Sequence, residues 1–212
     1  VPVTLVAAIE NGVNDGEVGH LVEFGLNHPA VRGINFQPVS LTGRHPARGE
    51  KPRMTLTGVL RCIEAQMAGM LRMRDFIPLP CDADRVAVTF LYRDRSGFTP
   101  VTRHLKAKDY LSLFSNTLAF YPQDVFRQMA ADLCGGQVCN CLSFLKDVLP
   151  LAPLGAKAVL AGDKATFQND NFFRVTVTSF LDRFNFDIKS IKKECVHVLT
   201  PDLRKIPFSA YN

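Results

Sequence analysis

Apolar residues recur along this chain with spacings that change from segment to segment. A β-branched run over residues 3–9 gives way to a polar turn, Asn11-Gly12-Val13-Asn14-Asp15-Gly16, and then to Val18, Leu21, Val22, Phe24 and Leu26 at helical spacing within 17–26. This order predicts strand, loop, helix. Asn14, with Glu17 three residues on, has the pattern of an N-cap whose partner reaches back to it. His28-Pro29 ends the helix, and residues 31–39 read as a second strand. Residues 1–39 therefore predict a β-α-β unit with parallel strands and a right-handed crossover. Ligands of such sheets bind at the loops that follow the strands' C-terminal ends.

From residue 42 to residue 53 the sequence turns polar and basic, TGRHPARGEKPR, with two prolines and two glycines. This marks a linker or an ordered active-site loop, and the domain boundary is expected here, at residue 48. Beyond it, 57–70 predicts a helix capped by Thr57, with Val59, Leu60, Ile63 and Met67 on one side. Residues 76–81 are extended and punctuated by prolines. Residues 86–92 and 98–101 flank Arg93-Asp94-Arg95-Ser96-Gly97 as a hairpin. Helices are expected at 107–118, 122–133 and 140–149, a strand at 172–178 and a helical turn at 187–193. A final hairpin joins 196–199 to 205–208 across a Pro-Asp turn. No internal repeat or low-complexity tract interrupts the chain.

The stretch Gly33-Ile34-Asn35-Phe36-Gln37-Pro38-Val39 departs from a plain core strand. Side chains alternate with period two, so Asn35 and Gln37 share one face while Ile34 and Phe36 occupy the other. Two amides aimed at one interior need partners. They either bond neighbouring backbone and water or line a polar ligand site, with Arg44 just beyond the strand able to pair with a carboxylate or phosphate.

Composition narrows the class without deciding it. The chain has 212 residues, 47% apolar and 21% charged, enough for one large or two small globular domains. A net charge of +5 is spread rather than blocked, so it gives little support to a nucleic-acid partner. No apolar run reaches the roughly 18 residues that span a bilayer. The chain reads as soluble, with the cytoplasm as the expected location. It opens on a strand-like run without Met or a signal pattern, as a fragment, a processed product or a designed piece would.

Six cysteines without a secretory context fit reduced thiols or metal ligands better than a disulfide framework. Cys134, Cys139 and Cys141 lie close in sequence but lack the usual zinc or iron–sulfur spacings, and core packing accounts for them at least as well. Cys62 sits on an amphipathic helix as a packing residue. Cys195 and His197 share one face if their segment is a strand, and a core pair satisfied by its neighbours is the simpler account. There is no G-x-S-x-G, G-x4-G-K-[ST], G-x-G-x-x-G after a strand, or H-E-x-x-H, so the common hydrolytic and dinucleotide chemistries lack support.

One set of motifs carries a resemblance. V-R-G-I-N-F-Q-P-V-S-x-T-G-R at 31–44 comes first, then I-E-A-Q-M-A-G at 63–69 and D-F-I-P-L-P-C at 75–81. F-N-F-D-I at 184–188 and C-V-H-V-L-T-P-D-L-R-K-I-P-F-S-A-Y-N at 195–212 complete the order. Together they resemble the pterin-methylase-like and tetraether-lipid-synthase-like members of the radical S-adenosylmethionine (SAM) family. The opening, including the turn G-V-N-D at 12–15, resembles the last two β/α units of a radical SAM barrel. The resemblance implies an α/β fold: residues 1–48 would be the final β/α units of a partial (β/α) barrel, and 49–212 an α+β C-terminal domain.

Further expectations follow from that resemblance. Asn14, Asn35, Gln37 and Arg44 would line the SAM or substrate wall at the barrel mouth. Cys81, Cys195 and His197 form a candidate auxiliary metal site, although the further cysteines common in the family are replaced here by residues 82–86, Glu194 and Ser209. The parent enzyme would use SAM and a [4Fe–4S] cluster for methylation or carbon–carbon bond formation on a pterin- or lipid-like small-molecule substrate. The activating C-x3-C-x2-C motif is not in this sequence, so the chain is expected to be inactive alone and to associate with a missing N-terminal barrel half or a second copy. No nucleic acid or transmembrane segment is implied. A non-catalytic ligand-binding or interaction module on the same fold is the alternative, and an unrelated α/β protein the third reading.

Overall fold

The computed structural model describes residues 1–42, 52–79, 82–94, 97–100, 103 and 172–211. Arg44, Cys81, Cys134, Cys139, Cys141 and the helices expected at 107–118, 122–133 and 140–149 lie outside the described residues. Strands β1 (Val3–Ile9), β2 (Val31–Pro38), β3 (Ile77–Pro78), β4 (Val86–Asp94), β5 (Gly97–Pro100) and β6 (Phe172–Thr178) form one sheet. Its order is β1-β2-β6-β4-β3, with β5 paired to β4. β1, β2 and β6 run parallel, whereas β4 is antiparallel to β6, β3 and β5. The protein is thus α/β with a mixed sheet. The sheet continues across the boundary expected at residue 48, because β2 pairs directly with β6.

Helices α1 (Val18–Asn27) and α2 (Leu56–Gln66) cover one face of the sheet. Alternation along the strands supplies that face with Ile9, Ile34, Phe36, Phe173, Val175, Val177 and Leu91, which join Val18, Val22, Val59 and Ile63 in one core. Removing this apolar surface from water is the main stabilising term of the fold. α2 is capped two residues earlier than expected, by Thr55 rather than Thr57: Thr55 is extended, and its Oγ1 accepts from Gly58 N at 3.0 Å. A hydroxyl in extended backbone reaches an otherwise orphaned first-turn N–H, which a hydroxyl inside the helix does not. The helix stops at Gln66 rather than Met70, because Ala68 and Gly69 take positive φ values of 45° and 84°.

The C-terminal part carries α3 (Ile188–Ile191), the antiparallel pair β7 (His197–Leu199) and β8 (Lys205–Pro207), and α4 (Phe208–Tyr211). Phe208 packs on Phe180, with ring centroids 4.6 Å apart, which docks α4 on the segment that follows β6. Among the described residues no helix is long and apolar enough to cross a membrane.

Candidate functional site

The C-terminal ends of the three parallel strands lie together, and the loops leaving them are sewn to one another. After β1, Asn14 does not cap the following turn through its side chain. It folds back instead: Glu10 N donates to Asn14 Oδ1 at 2.8 Å, and Asn14 Nδ2 donates to Ala8 O at 2.8 Å. The strand end outcompetes the helix start for this amide, so the capping pair expected with Glu17 does not form. Asn14 therefore shapes the loop rim, with both polar atoms of its side chain bonded back to the end of β1.

The loops after β2 and β6 meet at Asp182. Its buried carboxylate accepts from Leu41 N at 2.7 Å, from Phe184 N at 2.9 Å and from Arg53 Nη1 at 3.1 Å, and Arg53 Nη2 closes a second contact. Burial pushes the Asp182 carboxyl up, but the Arg53 hydrogen bonds, the two backbone N–H groups and the Arg53 charge outweigh it and hold it below its ordinary value. Ser40 Oγ donates to Phe180 O at 3.1 Å, and Asn11 Nδ2 donates to Pro52 O at 3.2 Å. Residues 39–42, 52–53 and 179–185 are thus fixed at one end of the sheet.

Below this rim lies the sheet face opposite α1 and α2. β1 contributes Val6 and Ala8, β2 contributes Asn35 and Gln37, β6 contributes Thr176 and Thr178, and β4 contributes Val86 and Val88. The register places Val6, Asn35, Thr176 and Val88 in one cross-strand row. Exposure falls along that row from 63% at Val6 to 1% at Val88. Asn35 and Gln37 are half-buried between these extremes.

Thr178 Oγ1 donates to Asn35 Oδ1 at 3.0 Å. No described residue hydrogen-bonds the Gln37 amide, the Thr176 hydroxyl or the Asn35 NH2 group. Buried polar groups in folded proteins are normally paired with protein or water, so these neighbouring donors and acceptors keep hydrogen-bonding capacity that no described residue uses. Deeper on the same face, burial lowers the pKa of the Arg174 guanidinium.

The structure therefore brings Asn35 and Gln37 to one face and puts Asn14 on the neighbouring rim. It adds Thr176, Thr178, Asp182 and Arg53, which the sequence reading did not single out. The alternating Thr176-Val177-Thr178 carried a usable signal of its own. What could not be read was that β6 lies beside β2, some 140 positions away.

Cys195 and His197 lie elsewhere, at the start of the β7–β8 pair. Cys195 is disulfide-bonded, and its carbonyl oxygen lies 3.3 Å from His197 Nδ1. Glu194 and Ser209, at the positions where the family resemblance implies further cysteines, are bonded to each other. Ser209 Oγ donates to Glu194 Oε1 at 3.0 Å and accepts from Leu181 N at 2.9 Å. Among the described residues no group of three or more His, Cys, Asp or Glu side chains is arranged to hold a metal ion.

No family model matches the chain. It is similar to the 7,8-dihydro-6-hydroxymethylpterin dimethyltransferase of Methanocaldococcus jannaschii, with 29% identity over 246 aligned residues. The match takes in 99% of this chain and 48% of that enzyme, so the chain spans about half the length of the relative.

Proposed function

We propose that this chain forms a ligand-facing wall of a methyltransferase acting on a pterin-like substrate, with SAM as the methyl source. The observation that carries the reading is the polar patch of Asn35, Gln37 and Thr176 on one face of the sheet. These groups keep unused hydrogen-bonding capacity on a parallel-strand face, just below strand-end loops fixed by Asp182. The relative's substrate favours a pterin over a lipid-like molecule. In this reading β1, α1 and β2, together with β6, are late units of a partial radical SAM barrel, and Arg44 belongs to the loop beside the same wall.

The activating iron–sulfur cluster of that family does not fit these residues. Cysteines stand at 62, 81, 134, 139, 141 and 195, and no three of them have the C-x3-C-x2-C spacing. No radical step is assigned to this chain, whose part is to bind and orient. Among the described residues β1 lies at the end of the sheet, and an edge strand of this kind offers backbone N–H and C=O groups for pairing. The proposal places the remainder of a longer enzyme, or a second copy, against that edge, and sedimentation as a concentration-independent monomer would count against it.

The test of the wall is binding of S-adenosylhomocysteine and 7,8-dihydro-6-hydroxymethylpterin to the protein produced from its complete reading frame. The double substitution Asn35→Val with Gln37→Val should weaken at least one of them by about 10-fold for each hydrogen bond lost. Unchanged affinity for both compounds refutes the assignment.

A further inference from the structure

A side-chain amide has two chemically opposite ends of nearly the same shape: an oxygen that only accepts hydrogen bonds and an NH2 group that only donates them. Which end meets a ligand depends on what holds the other, and a hydroxyl can either donate to the oxygen or accept from the NH2 group, so the direction of that bond sets the sense of the amide. At Asn35 the holder is Thr178, two positions beyond Asn35's cross-strand partner Thr176 on the same face of β6. Its hydroxyl donates to Asn35 Oδ1 at 3.0 Å, and no other described residue bonds the Asn35 side chain. Thr178 is 5% exposed, so water competes little for that hydroxyl.

Occupying the oxygen leaves the NH2 group as the available end of Asn35. We propose that Thr178 is a positioning residue that fixes the Asn35 amide as a donor, so that this wall reads a hydrogen-bond acceptor on the bound molecule. A ring nitrogen, a carbonyl oxygen and a carboxylate oxygen all meet that requirement. The inference rests on the reading of this face as a ligand wall and adds to it the sense of one contact. Gln37, with no described partner at either end of its amide, can turn to suit donor or acceptor. Discrimination at this wall therefore falls to Asn35, the amide that is held.

The chemistry of the acceptor fits either a pterin ring edge or the polar groups of SAM, and two probes separate them. Dissociation constants of 7,8-dihydro-6-hydroxymethylpterin and S-adenosylhomocysteine are measured on the full-length protein, and the compound that responds to Asn35 identifies the source. Asn35→Ala should weaken that compound about 10-fold. Asn35→Asp keeps an oxygen for Thr178 but turns the ligand-facing end from donor to acceptor, and should weaken it about 100-fold because two acceptors then face each other. Thr178→Val, which frees the amide to turn, should weaken it about 5-fold, with Thr178→Ala as a second deletion of the hydroxyl and Thr178→Ser restoring affinity to within about 2-fold.

Wild-type affinity in Asn35→Asp, beside a loss in Asn35→Ala, means that the ligand donates to the amide oxygen. The inference is then overturned while the wall stands. Wild-type affinity in both Thr178→Val and Thr178→Ala removes the positioning role. If neither compound binds, or if Asn35→Ala, Asn35→Asp and Gln37→Val all bind as the wild type does, the wall reading fails and the inference fails with it.

Discussion

Gly19 at the start of α1 and Gln66 at the end of α2 meet with no space between them: a Cβ on Gly19 would stand 2.7 Å from Gln66 Cβ. The same glutamine closes two backbone groups. Gly19 N donates to its Oε1 at 2.8 Å, and its Nε2 donates to Asp15 O at 2.7 Å. One side chain on α2 thereby satisfies an orphaned first-turn donor of α1 and holds the loop that follows β1. Gly19→Ala should destabilise the fold by about 1 kcal/mol, since overpacking outweighs the gain in helix propensity. Gln66→Ala, which leaves two groups unpaired, should cost about 2 kcal/mol. Urea denaturation of both variants checks the order.

Asp182 gives the strand-end loops a pH dependence. Its folded pKa lies below the unfolded value of roughly 4. The stability it contributes is therefore complete above pH 4 and is lost as the pH falls through the lower folded value. Asp182→Asn should cost about 2 kcal/mol at pH 7, less than a fully buried pair because the Arg53 side chain is 34% exposed. It should also flatten the decline in stability below pH 4. Denaturation midpoints from pH 7 down to pH 2.5 test both, and an equal acid decline in the variant would show that other carboxylates govern it.

Asp82 responds in the opposite direction. Burial first, then Asp84 and Glu194, push its carboxyl from 3.8 up to about 6 against the pull of Arg85 and Lys193. No described residue hydrogen-bonds the carboxylate. The folded state binds this proton more tightly than the unfolded chain does, so the contribution is greatest below about pH 4, declines up to about pH 6 and is flat above. Asp82→Asn should raise stability at pH 8 by on the order of 1 kcal/mol and leave it little changed at pH 4. A variant no more stable at pH 8 would overturn the unpaired carboxylate as the cause.

How much of this was legible in the sequence depended on distance along the chain. The β-branched run of β1, the helical spacing of α1 and the period-two placement of Asn35 and Gln37 are local properties, and the structure has all three. The pairing of β4 with β5 and of β7 with β8 was also legible, because hairpin turns are local. The neighbour of β2 was not, since β6 is reached only after a long intervening stretch and parallel pairing leaves no turn signature. Thr176, Thr178 and Asp182 were missed for that reason. Asn14 was misjudged for another: a capping pattern in sequence does not say whether a strand end also competes for the amide.

Ser209 joins three segments through two hydrogen bonds of its hydroxyl. It donates to Glu194 and accepts from Leu181 N, which ties α4 both to the residue before Cys195 and to the segment leaving β6. All three positions are buried, Ser209 at 5%, Leu181 at 3% and Glu194 at 9% exposed. Removing the hydroxyl leaves a buried N–H without an acceptor and takes one donor from a carboxylate that keeps the Ser209 backbone N–H. Ser209→Ala should therefore cost about 2 kcal/mol. The damage should be local, because the Phe180 and Phe208 rings still pack together. Amide hydrogen exchange distinguishes this from general weakening: Leu181 N–H should exchange faster in the variant by about 10-fold or more relative to Leu91 in the sheet core. A uniform acceleration at both amides would show that Ser209 supports the whole fold rather than the docking of its last helix.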